Sequence, residues 1–101
     1  MKANVAKRDE VAALFRAARE AFGPVDIQVN NAGVYEFRPL EAINEEHIDR
    51  QFNINVKGLF FTLQKLIPHL AEGASIVLIS SGVSVSGYAQ MGAYAATKSA
   101  V

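Results

Sequence analysis

Helices and strands alternate along this chain, and that alternation restricts its fold more than any other feature. Two short apolar runs, DIQVN at 26–30 and ASIVLISS at 74–81, predict β-strands. Apolar residues at helical spacing predict helices over 9–22 and 44–70, and a third helix over 93–101. Helix, strand, helix, strand, helix is the order of an α/β fold with a parallel sheet and right-handed crossovers.

The ends of these elements carry local signals. Gly23 and Pro24 stop the first helix, and Asn44 suits the N-cap of the second because acidic residues follow it. Pro68 lacks an N–H and is expected to bend or fray the end of that helix, which Gly73 then ends. The run at 74–81 is continuously apolar, so we expect a strand buried on both faces.

The chain is small for the fold that it predicts. A length of 101 residues is one domain at most, and a parallel sheet of two strands cannot shield its own edges. Residues 1–5 can add only the end of a further strand. We therefore expect residues 1–101 to be the middle part of a larger domain.

Composition narrows the classes of partner. Ten Lys and Arg balance ten Asp and Glu, which predicts neither nucleic-acid binding nor attraction to an acidic membrane. Cysteine is absent, and His47 and His69 have no ligand spacing, so we expect no metal site. The first residues are charged, and no run approaches the ~18 apolar residues of a membrane span. These features predict a cytoplasmic protein whose partners are small molecules or protein.

YAATK at 94–98 places a phenol and an ammonium on one helix face, because positions i and i+4 are neighbours. A free phenol, with a pKa of about 10, is a poor base at neutral pH. An ammonium about 5 Å away stabilises a phenolate by roughly 3 kcal/mol at an effective dielectric constant of about 20. Tyr94 could then exchange a proton with an alcohol or carbonyl oxygen, with Lys98 as its activator. The alternative is a solvated pair, since YxxxK arises by chance in many helices.

Three other polar positions have both a functional and a structural interpretation. Ser81 ends the predicted second strand, where open α/β sheets bind ligands, and it could donate to a substrate oxygen or satisfy the strand end. Asn55 lies in mid-helix although asparagine is a poor helix former. Its presence there indicates either a specific function or a side-chain amide that is hydrogen-bonded to the backbone. NNAG at 30–33 permits close approach of a ligand to the main chain or forms a simple turn.

In order and spacing, these motifs resemble the marks of the short-chain dehydrogenase/reductase family. They are NNAG, Asn55 in NINVKG, Ser81 in IVLISSG and the YAATK sequence, and the resemblance covers essentially all of the chain. It implies an incomplete Rossmann-type doubly wound parallel sheet and an NAD or NADP cofactor. It also implies reversible hydride transfer with an alcohol or ketone substrate.

The resemblance also implies a role for each matching residue. Tyr94 would be the general acid/base, and Ser81 would orient and polarise the substrate oxygen. Lys98 would lower the pKa of the catalytic phenol and hold the nicotinamide ribose, and Asn55 would keep a water in a proton relay through that lysine. Asn30 would stabilise the sheet, while the backbone around Asn31, Ala32 and Gly33 would line the cofactor.

Two departures from the family pattern concern cofactor binding. Asn4 and Val5 stand where the family commonly has Asp-Val beside the adenine ring, so the adenine contact would be an amide rather than a carboxylate. The Gly-rich phosphate loop, which binds pyrophosphate through backbone N–H groups, is missing from residues 1–101. We therefore expect a fragment of such an enzyme, with doubtful activity of its own.

The long predicted helix also has two apolar sides. Its main stripe, suited to packing on the sheet, comprises Phe52, Val56, Leu59, Leu63, Leu66, Ile67 and Leu70. Ile54 and Phe61 point nearly opposite, flanking Gly58. Since the family pairs this helix and the YAATK helix between subunits, we expect a homo-oligomer. Local cover by segments outside 1–101 is the alternative.

The sequence is compatible with two functions of different classes. One is an oxidoreductase represented by its central segment, and the other is a non-catalytic Rossmann-type module that keeps only oligomer contacts. An unrelated Rossmann protein, such as a methyltransferase, has no reason to hold Ser81, Tyr94 and Lys98 in this arrangement. Tyr35, Phe37 and Arg38 are candidate residues for the rim of a substrate site, but they predict no particular substrate.

Overall fold

The computed structural model describes residues 1–101 and confirms the alternation of helices and strands. Four α-helices and two β-strands are present: α1 (Arg8–Phe22), β1 (Val25–Asn30), α2 (Glu45–Phe52), α3 (Gly58–Leu66), β2 (Leu70–Leu78) and α4 (Gly92–Ala100). A π-helical turn, Asn53–Lys57, joins α2 to α3, and short 3-10 turns cover Leu40–Ala42, Ile67–His69 and Gly82–Ser84. None of the helices combines the length and the apolar character that crossing a membrane requires.

The predicted helix ends are confirmed where local chemistry decides them. Gly23 follows α1 with a positive φ of 82°, and its N–H donates to the carbonyl of Arg19 at 2.9 Å. Asn44 caps α2, because its side-chain oxygen accepts the N–H of His47 at 2.9 Å. Both ends therefore follow from single residues that satisfy free backbone groups.

The boundary between the long helix and the second strand differs from the prediction. The α-helix ends at Leu66, the turn containing Pro68 is 3-10, and β2 begins at Leu70. Gly73 does not end the helix; it lies inside β2 with a φ of 75°, where the pairing with β1 is irregular. A glycine adopts this backbone conformation without strain, so it accommodates the irregularity in the strand.

The two strands pair in parallel, as predicted, with Ile27 opposite Ser75 and Asn30 opposite Leu78. The expectation that the second strand is buried on both faces is wrong: Ile76, Val77 and Leu78 are each more than 40% exposed. A sheet of two strands leaves edges and part of its faces uncovered, which explains the exposure.

The apolar core lies between the first helix, the end of α3 and the beginning of each strand. Val11, Phe15 and Leu66 are fully or nearly fully buried there. Val5, Val25 and Leu70 pack around them. The core thus joins α1 to the long helical segment and lies at the amino ends of the two strands, where Val25 and Leu70 begin them.

The buried side of the long helical segment differs from the predicted apolar stripe. Of that stripe only Leu66 is fully buried, and Ile67 is 66% exposed. Apart from Leu66, the buried residues of this segment are polar or small, and they are His47, Gln51, Asn55, Gly58 and Thr62. The π-turn explains part of the difference, because its wider turn changes which residues share a face.

Candidate active site

Asn55 lies inside the π-turn and connects three segments of the chain. Its side chain is 98% buried: Oδ1 accepts the N–H of Val34 at 2.8 Å, and Nδ2 donates to the carbonyl of Val34 at 2.8 Å. The same Nδ2 donates to Thr97 Oγ1 at 3.0 Å. Since π-turns are frequent at functional sites, this irregular turn is itself a local signal of function. The amide fixes the residue after NNAG and the YAATK helix to the same point.

Thr97 carries the connection on to Tyr94. Its hydroxyl donates to the carbonyl of Tyr94 at 2.7 Å while it accepts from Asn55, so both functions of the hydroxyl are used. Thr97 is completely buried, although the sequence reasoning assigned it no role. Its spacing of three from Tyr94 on one helix is the signal that could have indicated the contact.

Gly33 lies against the side chains of both Asn55 and Lys98. A Cβ at this position would be 3.2 Å from Asn55 Oδ1 and 3.3 Å from Lys98 Nζ, which is too close for ordinary packing. The glycine of NNAG therefore lets the Asn55 and Lys98 side chains approach the main chain without displacement. Three of the four sequence motifs meet at this point.

Lys98 is held at both its ammonium and its backbone. Only 6% of the residue is exposed, and Nζ donates to the carbonyl of Ile79 at 3.1 Å. The Ser80 hydroxyl donates to the Lys98 carbonyl at 2.8 Å. The segment after β2 therefore fixes the position of this lysine. Neither Ile79 nor Ser80 was singled out from the sequence.

Ser81 lies three residues beyond the end of β2, rather than at the end of the strand. Its Oγ accepts the N–H of Val83 at 3.4 Å and so caps the Gly82–Ser84 turn. Its carbonyl accepts the hydroxyl of Ser84. Ser81 thus satisfies a backbone N–H after the strand, as its structural interpretation expects. Its hydroxyl hydrogen remains available for another acceptor.

Tyr94 is half-buried near the start of α4, one turn before Lys98. Its ring lies 5.8 Å from the ring of Tyr35 at an interplanar angle of 56°. Tyr35 in turn contacts Phe37, with centroids 5.6 Å apart and the rings nearly perpendicular. Of the three predicted rim residues, Tyr35 therefore lies beside the predicted acid/base, and Phe37 lies beside Tyr35.

Asn4 and Val5 adopt structural roles near the amino end of α1. The side chain of Asn4 accepts the N–H of Ala6 at 3.0 Å, and its carbonyl accepts the N–H of Lys7, which forms a turn. Val5 packs on the core and against Gly58, where a Cβ would lie only 2.7 Å from Val5 Cγ2. Neither contact tests the expected position beside adenine.

A cavity of about 160 Å³ lies between β1, α1 and the long helical segment. Among the predicted site residues, those that line it are Val5, Asn31, Ala32, Asn55 and Lys98. Asn4, Gly33, Ser81 and Tyr94 do not line it. The structure thus gathers five predicted residues around one cavity, with Gly33 against Asn55 and Lys98 and with Tyr94 connected to Asn55 through Thr97.

A charged cluster that the sequence did not indicate surrounds Glu36. Its carboxylate accepts from Arg50 Nη2 at 2.9 Å and lies 3.2 Å from Nδ1 of His47, with Arg38 at 3.8 Å. The hydrogen bond from Arg50 is the main cause that lowers the pKa of Glu36, with His47 acting in the same direction against burial. Glu36 is therefore an anion that joins the segment after NNAG to α2.

No group of three or more His, Cys, Asp or Glu side chains is arranged to bind a metal ion. The candidate site consists instead of amide, hydroxyl and ammonium groups around a small cavity. Such groups can bind a polar organic ligand and move protons.

Comparison with known proteins decides the family. The family model described as short chain dehydrogenase matches residues 1–101, the whole chain. The chain belongs to the short-chain dehydrogenase/reductase family. Its fold is accordingly an incomplete Rossmann-type α/β fold, in agreement with the parallel strands and the intervening helices.

Curated relatives of this short-chain dehydrogenase/reductase chain carry names of oxidoreductases. The hydroxynaphthalene reductase-like protein Arp2 of Metarhizium brunneum is 42% identical over 102 residues, which covers all of this chain and 38% of that protein. An uncharacterized oxidoreductase of Methylorubrum extorquens is 40% identical over 101 residues, covering all of this chain and 41% of that protein. The chain therefore spans about two fifths of the length of these relatives.

Solved structures of the family share the fold closely. A short-chain dehydrogenase/reductase from Brucella melitensis superposes with a TM-score of 0.95 at 31% identity, over 99% of this chain and 42% of that one. A short chain dehydrogenase from Burkholderia cenocepacia, solved in complex with NADP, gives a TM-score of 0.91 at 35% identity, over 99% of this chain and 41% of that one. NAD(P) is the cofactor of this family.

The residues present fit such a cofactor. The backbone of Asn31 to Gly33 is exposed, and the glycine has no side chain between it and the neighbouring ammonium. Lys98 uses one of its three N–H donors on Ile79, which leaves two for hydroxyl or other acceptor groups. An accessible main chain bordered by a cation suits a polyhydroxylated, anionic dinucleotide.

Proposed function

We propose that the whole protein carrying this chain is an NAD(P)-dependent oxidoreductase that acts reversibly on an alcohol or carbonyl substrate. One observation carries the proposal: Asn55 and Gly33 join the NNAG, NINVKG and YAATK motifs around the Lys98 ammonium. The oxidoreductase names of the relatives support the same class of reaction. Residues 1–101 would form the central part of a larger Rossmann-type domain.

Tyr94 is the proposed general acid/base. In the direction of reduction its hydroxyl gives a proton to the substrate oxygen, and in oxidation the phenolate takes the proton back. The carbonyl of Tyr94 is fixed by Thr97, so the start of the helix that presents the phenol is held in place. The nicotinamide cofactor, when bound, supplies or accepts the hydride.

Ser81 and Lys98 are the proposed partners of Tyr94. Ser81 would donate its free hydroxyl hydrogen to the substrate oxygen, which orients and polarises it. Lys98 would use its two remaining donors on the nicotinamide ribose and on the proton relay, and its charge would stabilise a phenolate at Tyr94. Burial of the ammonium favours this role, because electrostatic interactions weaken less outside bulk water.

Asn55 would hold a relay water beside Lys98. Both of its amide hydrogens are already donated, to Val34 and Thr97, so the water would have to donate to Oδ1. Asn31, Ala32 and Gly33 would line the cofactor with their backbone, and Asn4 and Val5 would lie near the adenine. The positions of Val5, Asn31, Ala32 and Asn55 around the cavity support these assignments.

The test is steady-state kinetics of the whole protein with NADH and with NADPH against a panel of aldehydes and ketones. Nucleotide-dependent reduction of at least one carbonyl compound is expected, and the better nucleotide defines the cofactor preference. Tight nucleotide binding is expected as well, seen as a change in NAD(P)H fluorescence. A whole protein that turns over none of the substrates and binds neither nucleotide would overturn the proposal and favour a non-catalytic module.

An apolar groove between α2 and α4 supports homo-oligomer formation. Its volume is about 340 Å³ and its lining is almost entirely apolar: Leu40, Ile43, Ile48, Phe52, Gly92, Ala93 and Ala96. Phe61, by contrast, is half-buried beneath the guanidinium of Arg8, 4.7 Å away, and is a poorer candidate than the sequence suggested. We therefore propose this groove as the subunit contact.

Sedimentation of the whole protein tests that contact. Ile48→Glu is expected to lower the sedimentation coefficient, because it places a charge in the groove. Ile67→Glu is the matched control, since Ile67 is 66% exposed and lies outside the groove. An unchanged coefficient in Ile48→Glu would contradict the contact.

The balanced charge and the absence of cysteine agree with the cytoplasm as the compartment that we propose.

A further inference from the structure

The segment directly after NNAG alternates between half-buried and exposed residues. Val34, Glu36 and Arg38 are half-buried, whereas Tyr35 and Phe37 are 61% and 60% exposed. Alternation with a period of two is that of an extended backbone, in which successive side chains point to opposite sides. Two aromatic rings therefore project from the same side of this segment.

Three attachments fix the segment in place. Asn55 binds both the N–H and the carbonyl of Val34, and the N–H of Arg38 donates to the carbonyl of Gln90 at 2.9 Å. Between these two points, Glu36 is held by Arg50 and His47. The exposed rings are thus carried by a backbone that is anchored at its start, middle and end.

The anchor at Glu36 is supported from inside the protein. His47 is only 1% exposed, and its Nε2 lies 2.8 Å from the side-chain nitrogen of Gln51, which is also buried. The two ring nitrogens of His47 are thus both used, Nε2 on the Gln51 side chain and Nδ1 on the Glu36 carboxylate. A buried histidine and glutamine therefore hold the carboxylate from below.

The aromatic row leads to the proposed acid/base. The rings of Phe37 and Tyr35 are 5.6 Å apart, and those of Tyr35 and Tyr94 are 5.8 Å apart. Aromatic rings at such separations attract one another, and an exposed ring in a fixed position offers the same interaction to a ligand. A ligand gains from this arrangement because the loop needs no further ordering on binding.

We propose that Tyr35 and Phe37, held beside Tyr94 by the Glu36 anchor, form an aromatic wall that selects substrates whose carbonyl group is attached to a planar aromatic ring. The inference rests on the proposed function, because the wall is useful only if Tyr94 receives the substrate oxygen. A ring against Tyr35 places an attached carbonyl group next to the phenol. A saturated ring of the same size lacks the flat face and gains less from the wall.

The direct test compares acetophenone with cyclohexyl methyl ketone in the whole protein. The two share one skeleton and differ in ring saturation. We expect kcat/KM and equilibrium binding in the presence of nucleotide to favour acetophenone by about threefold to tenfold, the range of one aromatic pair. Tyr35→Leu should reduce that preference. Tyr88→Leu is the matched control, since Tyr88 is 63% exposed and has no aromatic partner.

The outcomes separate this inference from the proposed function. Turnover of both ketones without an aromatic preference, or with a preference that Tyr35→Leu leaves unchanged, would overturn the wall and leave the oxidoreductase intact. If neither ketone is turned over, the binding titration decides the wall by itself. Equal binding of the two ketones would then overturn it, and tighter binding of acetophenone that Tyr35→Leu abolishes would support it.

Glu36→Gln tests the anchor as a positioning residue. We expect KM for acetophenone to rise about threefold to tenfold with kcat changed less than twofold, because the phenol is untouched while the wall is less fixed. KM for cyclohexyl methyl ketone should change little. Glu41→Gln, at an exposed glutamate outside the cluster, is the control. An equal loss for both ketones would contradict a positioning role.

Discussion

Replacing Asn55 with alanine removes the amide that joins three segments of the site. The change deletes three hydrogen bonds, to the N–H and the carbonyl of Val34 and to the hydroxyl of Thr97. At about 1 kcal/mol for each bond, the expected loss in the free energy of unfolding is about 3 kcal/mol. The higher helix propensity of alanine returns about 0.5 kcal/mol of this. A net loss of about 2 to 3 kcal/mol is therefore predicted.

Urea denaturation of the whole protein measures this loss, with the slope of the transition compared to confirm that only stability has changed. Asn53→Ala is the matched control, since Asn53 lies in the same π-turn but takes no part in the network. The control should stay within about 0.5 kcal/mol of the parent protein. A loss for Asn55→Ala no larger than that of the control would refute the assignment of Asn55 as the connecting residue.

Three further predictions concern other contacts. Gly58→Ala should destabilise the protein by about 1 to 3 kcal/mol in the same assay, because the new Cβ would lie 2.7 Å from Val5 Cγ2; Gly87→Ala, with open space around it, should be close to neutral, and equal effects would refute the close packing of Val5. Gly33→Ala should weaken nucleotide binding, because it displaces the Lys98 ammonium 3.3 Å away; unchanged nucleotide fluorescence titrations would contradict this. The stability difference between parent and Glu36→Gln should be constant above the ordinary carboxyl pKa of 4.5 and shrink as the pH falls through the lowered pKa of Glu36; a difference independent of pH from 6 to 2.5 would show that the ion cluster contributes nothing.

Local chemistry made the element ends at Gly23 and Asn44 predictable. Each depends on a single residue that satisfies nearby backbone groups, so no information about distant parts of the chain was needed. The start of β2 was not predictable in this way. The α-helix ends before Pro68, earlier than the apolar pattern predicts, and Gly73, which the sequence predicts as a helix terminator, lies in the strand. The backbone preferences of Pro68 and Gly73 are the ordinary ones for proline and glycine, but strand pairing determines where β2 begins and therefore what each residue does there.

The motifs allowed the residues of the candidate site to be predicted from the sequence, but not the contacts between those residues. Asn55 meets Val34 across 21 positions and Thr97 across 42, and no local periodicity contains such information. The π-turn around Asn55 looks like ordinary helix in the sequence. Glu36 and His47, eleven positions apart, combine a loop and a helix, so that pairing too required the fold.

Tyr94→Phe is the most direct test of the account, because it removes one hydroxyl and keeps the ring that packs beside Tyr35. In the whole protein, kcat for carbonyl reduction and the dissociation constant of the nucleotide should be measured together. If Tyr94 is the general acid/base, kcat should fall by about 100-fold or more, the usual contribution of a positioned acid/base, while nucleotide binding is retained. A Tyr94→Phe protein that keeps its kcat would contradict the role of Tyr94.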